Sequence, residues 1–569
     1  NYKKNPLTEN KILFRDTFHE KNFMKKHSYL KSINEKVLIF LTQHLNKKFS
    51  LKNDIEYWRI ILYYWISGYT AQHYSAWELV KKLKTKSKFY VETLSDDPII
   101  LINKDYVDWS HKINCHFYNF HITKRIIQYC NLKNIIFIKS KNIIKDIKTQ
   151  GINNLRQKNI LSQSSLKYLF LRYFDLIISK ITFKFNSIYF DNFYYPFRSF
   201  INLCFKLKVT PTNNKYFFMN KKTLNKDLYN LEQRNKNLFK NNKKKRDDFY
   251  NYLITNILAD LPMSYYEHYK NLKDQIIKRS KYKKTIVSMH AILINDLFKI
   301  YTAETKKNGS RLICVDHGGQ THKFRAMFDY LNIICDAQVH WNIRDKNYKF
   351  STRLSPTKFI SDFKQQNTND NFCTIITSEN TVFGARCHSL PGLDDYVREF
   401  EDVLVFGKSL KPVIQKKLKL RSKDYNNIDV NSHFRKIFGK KSTDQYGSST
   451  FERTMLRSKL IIFTYAQTAF MESMYYNKPS ILLIWKNDWI FQDVFYKHIK
   501  QFQKQQMAFE NMKSAGKFIN KRWDRIDDWW KSRDVQLARK SFLKDFFNVK
   551  KSWHQDWVNY FIKEKKNLH

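Results

Sequence analysis

No stretch of this 569-residue chain is apolar for the ~18 to 20 residues a bilayer-spanning helix requires, so no such helix is expected. The longest apolar runs, such as Ile60 to Ile66 and Ser480 to Trp485, are of core size. Cysteine is sparse. The seven cysteines, at 115, 130, 204, 314, 335, 373 and 387, are scattered and never spaced as Cys-x-x-Cys. That pattern excludes a disulfide framework and a cysteine zinc site, and it suits a reducing cytoplasm. From Asn1 onward no secretory leader is visible, and the expected location is cytoplasmic. The chain also lacks internal repeats, a low-complexity linker and an Asp-x-Asp pair in a strand-end setting. Asp394–Asp395 and Asp527–Asp528 both fall in helical patterns, so no metal is expected.

Acid is the minority charge: 51 Asp and Glu face 102 Lys and Arg, for a net charge of +51. Such a field draws polyanions, whether nucleic acid, anionic lipid or nucleotide-linked substrates. The lysines come with abundant Asn, Ile, Tyr and Phe, the mixture that AT-rich codons produce, so part of the excess carries no function. Zinc-finger, RRM and KH signatures are missing and the charge is spread along the chain, unlike that of a dedicated nucleic-acid binder. Such a binder, or a non-catalytic scaffold on an anionic membrane, remains the rival reading. Two basic stretches, Lys236 to Arg246 and Lys278 to Lys284, read first as solvated surface, the alternative being a contact with an anionic membrane or polymer. At 43% hydrophobic and 16% aromatic residues, the chain can bury two or three cores.

The hydrophobic pattern divides the chain in four. Residues 1–275 read as a helix-rich region, including an aromatic helical segment from Asp54 to Leu83 and a short strand at Asn134 to Ile138. Residues 276–368 read as a Rossmann-like part: a strand from Thr285 to Met289, a helix from Ile292 to Lys307 and a strand from Arg311. Residues 369–525 form a second α/β unit, with strands at Phe372 to Thr377, Lys459 to Phe463 and Ile481 to Trp485. Within it, a helix runs from Pro391 to Val403. Residues 526–569 are tryptophan-rich helices. Alternating strands and helices predict an α/β protein with parallel sheets.

Two sites stand out. The apolar run from Arg311 ends abruptly in Asp316, His317, Gly318 and Gly319. A buried parallel strand that ends this way delivers a histidine to the strand carboxyl ends, where α/β proteins bind ligands, the plainer reading being that His317 is a polar loop residue. The two glycines permit a tight turn and close approach of a ligand to the backbone. The second site runs from Thr464 through Gln467 and Thr468 to Glu472, where a strand loop opens a helix. Helix N-termini favour anions, so Thr464 and Thr468 are placed to hold a phosphate. Glu472 lies one turn deeper on the face of Thr468, within reach of ribose hydroxyls. The plainer reading of this segment is helix capping. Arg421 and Lys423, on a loop after the strand at Leu418, are candidates to meet a pyrophosphate. Asp424 sits in the same loop.

In order along the chain, these pieces resemble a family of transferases from bacterial surface-polysaccharide (O-antigen) gene clusters. That family is distantly similar to the CDP-glycerol glycerophosphotransferases and other GT-B glycosyltransferases. The matching segments are the aromatic one at Tyr57, Asp316 to Gly319, Arg457 to Ser473, Asn477 to Ile481, and Asp527 to Arg539. Asp316 stands where the family more often has Gln. The Arg421 loop lacks the His or Pro of the glycerophosphotransferases.

The resemblance implies a GT-B-like arrangement, two Rossmann-like domains facing a cleft. A nucleotide-activated sugar or polyol donor would lie on the C-terminal domain, its phosphates at Thr464 and Thr468 and its ribose near Glu472. The acceptor would be a polysaccharide or lipid-linked chain. His317 would be the general base, oriented by Asp316, since its unperturbed pKa lies near neutrality. Gly318, Gly319, Gln467, Arg421 and Lys423 would contact substrate. No cofactor is implied.

Overall fold

The computed structural model describes residues 20–83, 89–93, 101–139, 177, 187–211, 228–235, 249–279, 284–344, 350–357, 370–377, 392–422, 429–444, 450–486 and 488–566. Lys423 and Asp424, residues 236–246 and residues 280–283 lie outside these. Among the described residues, a strand pair, β1 (Phe89–Thr93) and β2 (Ile135–Lys139), accompanies two five-stranded sheets, and the pairings between these strands are parallel. The expected α/β architecture, with two parallel sheets and a helix-rich N-terminal region, is present.

The first sheet places β3 (Ile188–Asp191), β4 (Thr285–Ser288), β5 (Arg311–Val315), β6 (Ala337–His340) and β7 (Ser351–Arg353) side by side in chain order. In β3 to β6 both faces are buried, as in a parallel sheet covered on both sides. Tyr189, Ile286, Leu312 and Cys314 point into a core shared with the N-terminal helices. Phe190, Val287, Ile313 and Val315 point into another, with Phe200 and Leu203. Trp557 and Phe561 of the final helix, Trp553–Lys566, also belong to that second core. The C-terminal helices therefore serve both halves. Ile526–Lys531 and Arg533–Phe546 pack in the second domain, while the last helix returns to the first sheet. The first strand also comes from well upstream of residue 276, inside the region read as helix-rich.

The second sheet has the order β12 (Ala508–Phe509), β11 (Ser480–Leu483), β10 (Ser458–Phe463), β8 (Phe372–Ile376), β9 (Leu418–Arg421). From β8 the chain steps outward to β9, then crosses back and proceeds in the opposite direction from β10. The order thus reverses between β8 and β10, and ligands of open α/β sheets bind outside the carboxyl ends at such a switch point.

The aromatic segment at Tyr57 is architectural. It forms the helix Ile55–Lys82, capped by Asp54, whose side chain accepts from Tyr57 N. Trp58, Trp65 and Trp77 are wholly buried. The Tyr57 hydroxyl donates to Glu304 Oε1 at 2.5 Å, and Tyr330 Oη donates to the Ile60 carbonyl at 2.6 Å, fastening this helix to the first domain. The single helix expected from Ile292 to Lys307 is two, Ala291–Ile294 and Asp296–Lys307. Asn295 breaks it by going extended and capping the second with its side chain, which accepts from Phe298 N at 3.1 Å. Gly309, at φ 86°, turns the chain from that helix into β5.

Candidate active site at the seam between the sheets

The carboxyl end of β5 is held by its own next residue. Asp316 N–H donates to the Val339 carbonyl at 2.9 Å, extending the ladder to β6. Its carboxylate accepts from Arg344 Nη2 at 2.7 and 2.6 Å, with the two side chains only 2% and 6% exposed. The Arg344 guanidinium also lies over the Phe328 ring, 4.7 Å from its centroid. Asp316 thus ties β5 to the loop after β6. The expectation that it orients His317 is not what these bonds serve.

His317 follows and is half-buried. Its ring meets that of His290 edge to face, centroids 4.9 Å apart at 61°. His290 stands just beyond β4, so the parallel pairing of β4 and β5 brings the two imidazoles together at neighbouring strand ends. His340, which ends β6, is buried, with Nδ1 2.7 Å from the Asn342 carbonyl oxygen. Burial, followed by the charge of Arg344, holds its pKa below the ordinary histidine value.

Gly318 and Gly319 permit a close approach, but the partner is protein. A Cβ on Gly318 would lie 2.9 Å from Thr468 Oγ1, and one on Gly319 would lie 2.0 Å from Met471 Sδ. Gly319 N–H donates to Thr468 Oγ1 at 2.9 Å. The two segments singled out in the sequence, 149 residues apart at this bond, are therefore in direct contact. The seam continues along the chain. Thr321 Oγ1 donates to the Ala466 carbonyl, and Gln492 N–H to the Thr321 carbonyl at 2.8 Å. His322 stacks on Trp489 (5.1 Å, 21°) and bridges in strand fashion to Phe491. Gln467 Nε2 lies 2.7 Å from His322 Nε2, placing Gln467 within the seam. Trp489 in turn donates to Glu399 at 2.7 Å; burial and then the nearby Asp488 push the Glu399 carboxyl well above the usual carboxylate range.

On the second domain, Thr464 follows β10 at the switch point. It is buried, and its N–H donates to the Ile376 carbonyl of β8 at 3.1 Å. The helix Thr468–Tyr475 opens on Gln467 in extended conformation with no side-chain cap bond. Glu472 is half-buried one turn along. Thr464, Gln467, Thr468 and Glu472 thus share one helix-opening segment. Arg421 is elsewhere. It ends β9, which β8 separates from β10 by roughly 10 Å. Its guanidinium is buried and donates to Asp444 Oδ2 at 3.2 Å. Among the described residues, no cluster of three or more His, Cys, Asp or Glu is arranged to hold a metal ion.

The chain matches the model of the LIC12162 family transferases over residues 3–561. It belongs to that family. Among curated proteins, none matches this transferase. Solved structures with some likeness include the UDP co-structure of S. aureus MnaA, at 11% identity and TM-score 0.34, covering 53% of this chain and 81% of that one. Acinetobacter baumannii MurG is similar at 8% identity and TM-score 0.29, covering 52% and 77%.

Sequence reasoning missed His290 and Arg344 in this family transferase. The only available signal for His290 was its place just past the strand Thr285 to Met289, which matters once β4 and β5 are known to be neighbours. A variant series separates its possible roles. If His290 orients His317 by ring contact, His290→Phe should retain most of the transfer rate and His290→Ala should lose about tenfold or more. Equal loss in both variants would instead assign His290 a proton or a hydrogen bond of its own.

Proposed function

We propose that this transferase moves a sugar or glycerol-phosphate group from a nucleotide-activated donor to a hydroxyl of a surface-polysaccharide acceptor at the cytoplasmic face of the membrane. One observation carries the reading: the strand-end loop bearing His317 abuts the helix-opening loop at the switch point of the second sheet, with Gly319 N–H on Thr468 Oγ1. A donor at the switch point and an acceptor at the end of β5 then meet across a few ångströms.

In the proposed reaction, His317 takes the proton of the acceptor hydroxyl as its oxygen attacks the anomeric carbon, or the phosphorus of a polyol phosphate. The bond to the nucleotide breaks, and the nucleoside phosphate departs with the electron pair. Backbone amides at the start of the helix Thr468–Tyr475 and the helix dipole stabilise that negative charge without a metal. Thr464 neighbours the same phosphates, and Glu472 accepts hydrogen bonds from the ribose. Thr468 Oγ1 already accepts one bond from the seam, yet its own proton can still be donated to a phosphate oxygen. Arg421 takes no part in this arrangement, because Asp444 holds it on the far side of β8.

Thermal shift with CMP, CDP, UDP and GDP, and a short DNA duplex as polyanion control, tests the donor side. Saturable stabilisation by one nucleotide is expected, with its affinity reduced about tenfold or more in Glu472→Ala. Stabilisation by DNA alone, lost at high salt, would replace this reading with a general polyanion binder.

A further inference from the structure

The helix Phe197–Lys206 follows β3 and covers the first sheet. Its buried face, Phe200, Leu203 and Cys204, enters the same core as Phe190 and Phe561. The helix has a second apolar stripe. Phe197, Ile201 and Phe205 recur every four residues, so they align on one side. They are 75%, 41% and 82% exposed. Singly exposed apolar residues are ordinary, but three in line on a ten-residue helix form a patch that water solvates poorly. Cations rim the stripe: Arg198, Lys206 and Lys208 are exposed, and residues 196–211 contain no Asp or Glu. The start of the final helix lies alongside, through Lys206 Nζ to Gln555 Oε1 at 3.0 Å and His554 Nε2 to Asn202 Oδ1 at 2.9 Å. It adds the exposed Lys551.

We propose that this helix lies in the headgroup layer of an anionic phospholipid membrane, with Phe197, Ile201 and Phe205 inserted and the cations over lipid phosphates. An apolar stripe whose own helix carries only positive charge fits that surface, because burial of the rings and attraction to anionic headgroups act together there. Phe197 is six residues past Asp191 at the carboxyl end of β3, the same end of the sheet that bears His290 and His317. The stripe therefore starts at the end of the sheet that carries the candidate site. The contact is distinct from the basic stretches at 236–246 and 278–284, and it stands whether or not the donor assignment holds.

Co-sedimentation of the full chain with vesicles tests it, using phosphatidylcholine alone and phosphatidylcholine with about one-third phosphatidylglycerol. The protein should pellet with the anionic vesicles. Phe197→Ser/Phe205→Ser should weaken binding by at least about tenfold, since each inserted ring alone favours the membrane by that order. Both rings are exposed, so this variant should keep the wild-type melting temperature and nucleotide response. Arg198→Gln/Lys206→Gln/Lys208→Gln should weaken binding to the anionic vesicles as well. The proposal is overturned if the wild-type chain stays in the supernatant. Double-serine protein pelleting like wild type would also overturn it, by assigning adhesion to the diffuse charge. So would a wild-type dimer that the serine pair converts to monomer, because a second copy would then cover the stripe.

Discussion

Replacement of His317 by alanine is expected to lower the transfer rate by about 10²- to 10⁴-fold while leaving donor-nucleotide affinity nearly unchanged. The separation follows from placement. His317 stands at the end of β5 in the first domain, whereas Thr464, Thr468 and Glu472 lie on the segment after β10 in the second. Loss of the imidazole removes the proposed proton acceptor and touches none of the groups proposed to hold the nucleotide. The measurement pairs steady-state transfer with nucleotide titration of the same variant. A His317→Ala enzyme of wild-type rate would remove the general base from the mechanism. A variant that loses rate and nucleotide binding together would instead show His317 supporting the seam. That second outcome is physically distinct because the adjoining Gly319 contacts Thr468 directly.

Asp316→Ala should be the most destabilising single change near the site, by about 3–5 kcal/mol. The Asp316–Arg344 pair is nearly sealed from water, and removal of the carboxylate takes away both bonds that Arg344 Nη2 makes to it in that buried setting. Replacing both members with apolar residues of similar volume should cost much less, because no buried charge is then orphaned. Chemical denaturation of Asp316→Ala, Arg344→Met and the double variant measures this. A double variant less stable than either single would mean that the pair's shape matters more than its charge. Unchanged stability in Asp316→Ala would show the pair to be dispensable. Retention of His317-dependent activity in any folded Asp316 variant would confirm that Asp316 supports the strand end and does not orient the histidine.

Both loops at the seam were legible in the sequence for a local reason. A buried strand is a short apolar run, and the residue that ends the run must leave the sheet at its carboxyl edge. His317 and Thr464 are such residues, and their position relative to their own strands needs no other part of the chain. The helix opening at Thr468 and the one-turn offset of Glu472 are local in the same sense. The resemblance to a transferase family rested on this order of local features, and the family match over residues 3–561 agrees with it.

Long-range pairing decided the rest. Gly318 and Gly319 announced a close approach, but only the meeting of the two domains shows that Thr468 and Met471 occupy the space. Asp316 could face either way from a strand end, and the placement of Arg344 after β6 settles the direction. His290 joins His317 because β4 and β5 are neighbours, and Arg421 is set apart because β8 lies between β9 and β10. A four-residue strand at Ile188 and a helix returning from Trp553 carry no local mark of the sheet they complete. Periodicity and chain termination act over a few residues and determine what each segment is. Burial of apolar faces and pairing of charges act across the whole chain and determine which segments meet, and the candidate site exists only where they meet.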